Sequence, residues 1–155
     1  MKLQILSEHL QKKLSLVNRA ISSHTQLPIL QNILLQAKDG KLYISSTDLE
    51  IGINVKIPAN IEENGETTVP AKSFSELIAT FTQEKISIET KEKTFIITTK
   101  KTKSVLQTIT ADEFPKLYEE KGEEVAQIKQ SLLQKNLSCI LFAASFDSSR
   151  PALSG

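Results

Sequence analysis

The stretch from Leu10 to Asn32, LQKKLSLVNRAISSHTQLPILQN, is begun a second time at Leu133 as LQKNLSCILFAASFDSSRPALSG, without a gap. At this separation of 123 residues Leu10/Leu133, Gln11/Gln134, Lys12/Lys135, Leu14/Leu137 and Ser15/Ser138 are identical, as are Ala20/Ala143, Ser22/Ser145, Pro28/Pro151 and Leu30/Leu153. Gln4/Gln127 and Ile5/Ile128 extend the match upstream. A period this long signifies a duplicated domain, since solenoid units repeat every few dozen residues. The chain therefore reads as a first domain over 1–122, whose linker occupies about 111–123, and the opening of a second over 124–155. The first is long enough to close its own core; the second is not.

Within the first domain the hydrophobic period alternates between strand and helix. Lys2–Leu6 is a short strand, and Ser7 stands where a helix cap would. Leu10, Leu14, Val17 and Ile21 then follow helical spacing, with Lys12 and Arg19 on the opposite side. Strands are expected at Asn32–Lys38 and Lys41–Ser46 around the Asp39-Gly40 turn, then at Ile51–Ile57 and Glu66–Val69. A second helix spans Ala71–Phe81 and buries Phe74, Leu77, Ile78 and Phe81, with Lys72 and Glu76 outward. Three strands follow: Lys85–Thr90, Thr94–Thr99 and Lys103–Ile109. This is an α+β architecture, two helices packed on antiparallel sheet, with a weaker duplication inside the domain itself. Asp112–Glu124 is acidic and has no sustained period; Glu124–Lys129 and Ser131–Ala144 repeat the first strand and helix. The leucines of that repeated helix present an apolar face with no sheet to cover it.

Charge and cysteine usage exclude several classes of function. Residues 1–110 hold 14 Lys+Arg against 11 Asp+Glu, and the remainder 5 against 7, too even a balance to mark a nucleic-acid binder by bulk charge. Cys139 is the only cysteine, so no internal disulfide or cysteine zinc site can form, and it reads as a small hydrophobe. No run approaches the ~20 apolar residues of a membrane span, and a cytoplasmic address is expected. No P-loop, paired-acid or metal motif occurs; neither a cofactor nor catalysis is expected. Asp48 and Glu50 would share a face if a strand ran through them, but two carboxylates are too few for a hard cation.

Several segments, taken in order, resemble one family. MK-x-x-I at the N-terminus, HLQK, LPILQNILLQ, the DG hairpin, STDLEI, TTVPAKSF and DEFPKL are similar to the bacterial DNA polymerase sliding clamp, the beta subunit of DNA polymerase III. SSRPALSG resembles the entry to that family's second domain. The resemblance implies the DNA-clamp fold with a truncated second copy and no third domain. It also implies a protein whose dimer closes as a ring around double-stranded DNA. Such a processivity factor is a non-catalytic accessory subunit that tethers the replicative polymerase and works with polymerase subunits and a clamp loader.

The same resemblance assigns roles to residues that are otherwise ambiguous. Lys12, Arg19 and Lys72 could be a merely solvated helix surface; in the family such faces line the pore and meet DNA phosphates. His24 stands where these clamps often carry an arginine near DNA, and read by itself is equally an exposed loop residue. Lys103–Ile109 should be a sheet edge, which in the family meets the neighbouring protomer; Leu106 matches an apolar interface position, and Ser104 stands where a bulkier residue is common. Two rivals remain open from the residues alone: a stand-alone clamp-fold interaction module that forms no ring, and an enzyme on the same DNA, which would need carboxylates beyond Asp48 and Glu50.

Overall fold

Alternation of apolar and polar residues builds most of the nine strands among the described residues, which in this computed structural model are 1–21, 27–117, 126–145 and 152. The chain divides into two units, Met1–Tyr118 and Glu119–Gly155. In the first unit the order is β1 (Lys2–Leu6), α1 (Ser7–Val17), β2 (Asn32–Lys38), β3 (Lys41–Thr47), β4 (Gly52–Pro58), β5 (Asn60–Glu63), β6 (Gly65–Pro70), α2 (Ala71–Ala79), β7 (Lys85–Lys91), β8 (Thr94–Thr98) and β9 (Lys103–Gln107). They form two antiparallel sheets, β5-β1-β7-β8-β9 and β4-β3-β2-β6.

The two halves of the unit interlock by exchanging their first strands. The β2-β3-β4 meander takes β6 from the second half at its edge, with Ile33 opposite Val69. The β7-β8-β9 meander takes β1 from the first half, with Leu3 opposite Ile88 and Ile5 opposite Ile86. The helices repeat the relation: Leu10 and Leu14 of α1 are buried as Phe74 and Ile78 of α2 are. Turn chemistry repeats it too. Asp48 Oδ1 accepts the N–H groups of Glu50 (3.0 Å) and Ile51 (2.7 Å). At the matching turn Thr99 Oγ1 accepts those of Lys101 (3.2 Å) and Thr102 (3.1 Å). One core cluster draws on both sheets and both helices, and Phe74 meets Phe95 edge to face at 5.3 Å.

Several local expectations are corrected. Ser7 does not cap α1; it is buried, its N–H donates to Glu84 O (2.9 Å), and its Oγ accepts the Glu84 N–H (3.0 Å). Packing against the chain before β7 has thus outweighed the local capping preference. Asp48 and Glu50 do not share a strand face. The Asp48-centred turn, with Leu49 at φ 79°, interrupts the extended chain before β4. A strand absent from the expected set, β5, pairs with β1; its exposed residues lack the alternating pattern that would announce it. Helix α1 ends at Val17, whose carbonyl accepts the Ser46 hydroxyl (2.6 Å), and continues as a 3₁₀ turn over Asn18–Ala20; α2 ends at Ala79.

In the second unit α3 covers Gln130–Ile140, followed by a 3₁₀ turn over Leu141–Ala143. These bounds repeat those of α1 and its turn at the separation of the sequence repeat, down to Ser15 Oγ donating to Lys12 O and Ser138 Oγ to Lys135 O. Leu132, Leu133, Leu137, Ile140 and Leu141 are exposed. The expected strand before α3 is not present in the described residues 126–129. Its counterpart β1 is held by β5 and β7, and the described residues of the second unit offer no such ladder.

Because each sheet needs a strand from the other half, the first unit should unfold in one transition. Urea unfolding followed by circular dichroism and by amide NMR signals from both meanders should give coincident midpoints, and separate midpoints would contradict the interlock. Phe74→Ala should lower stability by about 3–5 kcal/mol, with the midpoint falling for both meanders together.

Candidate nucleic-acid interface

The outer surfaces of α1 and α2 make the most chemically suggestive face of the first unit. Their inner stripes are committed to the core, which leaves the opposite sides to solvent. The two helices run antiparallel, as their polar contacts show. Gln11 Nε2 donates to the carbonyls of Ile78 and Phe81, both at 2.8 Å, at the C-terminal end of α2. One end along, Asn18 Nδ2 donates to Ser75 Oγ at 2.9 Å. The end of α1 therefore lies beside the first turns of α2, which brings the Arg19 and Lys72 positions to the same end of the pair.

Lys12, Arg19 and Lys72 are all exposed. Arg19 sits on the 3₁₀ turn after α1 and not on the helix proper, as the expected longer helix would have had it. Among the described residues neither Arg19 nor Lys72 forms an ion pair, so both cations are free for an external anion. Lys12 is different: its Nζ lies 2.6 Å from Glu8 Oε1. That hydrogen bond, and then the lysine's charge, hold the Glu8 carboxyl below its ordinary range. The Glu8-to-Lys12 spacing of four, acid first, is the pairing a helix favours, so this partner was legible in the sequence. His24 lies outside the described residues.

Strand β9 is an edge of the five-stranded sheet, as expected. Leu106 turns inward and packs against the core, opposite Phe95, while Ser104 is half-buried. The large apolar side chain that this edge exposes is Val105, 52% exposed, which the resemblance did not single out. Lys103 and Gln107 flank it, both exposed. Among the described residues no group of three His, Cys, Asp or Glu could hold a metal ion. No helix among them is long and apolar enough to cross a membrane.

Comparison with known proteins gives this fold a family. Residues 1–118 match the family described as DNA polymerase III beta subunit, N-terminal domain. The whole chain aligns with the beta sliding clamp of Synechococcus elongatus at 32% identity, covering 42% of that protein. With the clamp of Escherichia coli it shares 28% identity and covers 43%. The crystal structure of the DNA polymerase III subunit beta from Pseudomonas aeruginosa superimposes over the whole chain with a TM-score of 0.90 at 29% identity, covering 43% of that chain. The chain thus spans less than half the length of the curated relatives it matches. With its paired helices on two interlocked antiparallel sheets, the chain belongs to the DNA polymerase III beta subunit family, through that family's N-terminal domain.

Proposed function

We propose that this chain serves as a section of the wall of a sliding clamp, a processivity factor that encircles duplex DNA and keeps a replicative polymerase on its template. The observation that carries the reading is the free, cation-bearing outer face of the α1–α2 pair, on a fold shared with sliding clamps. Arg19 and Lys72 supply two cations at one end of the pair, and Lys12 a third further along α1. His24 belongs to the same proposed set by the family resemblance.

Cations on flexible side chains, without a recognition helix that inserts its tip, suit contact with phosphates. Such contacts position a duplex without reading its bases, which is what a sliding protein needs. The Glu8–Lys12 pair weakens one contact, since a lysine already paired must exchange its carboxylate for a phosphate. In this reading β9, with Ser104, Val105 and Leu106, forms the protomer boundary of a homodimeric ring. Polymerase subunits and a clamp loader are the partners of the complete protein, which acts in the cytoplasm and has no catalytic role of its own. Topological enclosure removes any need for a tight individual contact.

DNA binding by the 155-residue chain should accordingly be weak and indifferent to base sequence, with Kd on the order of 10⁻⁴ M at physiological salt. Fluorescence anisotropy on two unrelated duplexes should return the same affinity, falling steeply as salt rises. Arg19→Ala and Lys72→Ala should each reduce the salt slope by about 1. Glu8→Gln, which releases Lys12, should instead tighten binding severalfold. A preference for one duplex, or affinity unchanged when Arg19 and Lys72 are both removed, would contradict the reading.

A further inference from the structure

The segment that follows β9 crosses the outer face of the four-stranded sheet. Strand pairing fixes which residues point outward there: Asn32 and Leu34 on β2, Ser45 and Thr47 on β3, Gly52 and Asn54 on β4, and Thr68 on β6. Asn32, Ser45, Thr47 and Thr68 are nevertheless buried. The crossing starts at β6, where Ile109 O accepts both the Thr68 N–H (3.3 Å) and the Thr68 hydroxyl (2.8 Å), while Asn32 Nδ2 donates to Thr68 Oγ1 (3.1 Å). A 3₁₀ turn over Ala111–Glu113 delivers Phe114, which is buried. The crossing ends on β4, where Leu117 Cδ2 lies 2.9 Å from the position a Cβ on Gly52 would take. Since β6 and β4 are opposite edges of this sheet, Ile109–Leu117 spans all four strands.

We infer that Ile109–Leu117 is a reversible strap that lifts from an intact sheet, with Gly52 as its seat. The composition of the covered face supports this. The buried outward groups are hydroxyls and one amide, which water can satisfy once the strap leaves. The inward face of the same sheet is Ile33, Leu35, Leu42, Ile44 and Val69, which cannot be uncovered without dissolving the core. Phe114 and Leu117 are the strap's apolar anchors, and among the described residues its backbone meets the sheet in one isolated antiparallel bridge, Ile109 with Thr68. Few apolar contacts and few backbone bonds define a segment that opens locally. Gly52 contributes space and not backbone freedom, because no left-handed φ occurs there. When raised, the strap exposes the free edge of β6 at Thr68, so its docked state also shields a strand edge from stray pairing.

Native-state hydrogen exchange by NMR on the full chain separates a strap from a core element. The Thr68 N–H is protected by the strap, whereas antiparallel alternation aims those of Thr67 and Val69 at β2. Thr68 and Phe114 should exchange at least ~100-fold faster than Thr67 and Val69, with rates insensitive to low urea. Gly52→Ala, which displaces Leu117, should speed Thr68 exchange by a further roughly tenfold and leave Thr67 and Val69 unchanged. Should Gly52→Ala not fold, Phe114→Ser tests the same opening from the other anchor. Equal protection and equal urea dependence at Thr67 and Thr68 would overturn the inference, as would variants that accelerate both alike.

Discussion

The first unit depends on the exchange of β1 and β6 between its halves. Neither meander is complete without a strand contributed by the other, and each contributed strand leads directly into the helix of its own half. The helices are therefore set by the sheets at their starts and by core packing along their length. Gln11 and Asn18 then join α1 to α2 by polar contacts that need no exposed apolar surface. A helix pair fixed in this way can present an outer face free of structural duty, which is where a surface meant for a passing polyanion has to be.

This division of labour explains why the proposed contacts are modest side chains. Arg19 and Lys72 contribute charge and little else, and replacing them should disturb the fold slightly, because neither is buried. Lys12 carries its own counter-ion in Glu8, which moderates the face without neutralising it. Sliding along DNA requires attraction that is broad and shallow, and isolated exposed cations supply that better than a preorganised pocket would.

The strongly periodic elements were legible from the residues, since Leu10, Leu14, Phe74 and Ile78 follow helical spacing and the Asp39-Gly40 turn takes the left-handed conformation its sequence demands. The resemblance in LPILQNILLQ, STDLEI and TTVPAKSF pointed to the clamp fold that comparison now shows. What escaped was decided by tertiary partners. Ser7 has a cap's identity but is recruited by Glu84, β5 exists because β1 has an open side, and Asp48 spends its carboxylate on a turn. At the β9 edge the residues taken from the resemblance, Ser104 and Leu106, are half-buried, while Val105 between them is exposed, an alternation that the strand's period of two makes predictable.

The claim that the α1–α2 face meets DNA through phosphates alone can be tested by titrating the isotopically labelled chain with two duplexes of unrelated sequence and following amide shifts. The account predicts that both duplexes move the same resonances by the same amounts, centred on the exposed sides of α1 and α2 and the turn carrying Arg19. Shifts centred on β9 or on the outer sheet face, or a pattern that changes with the base sequence, would contradict it.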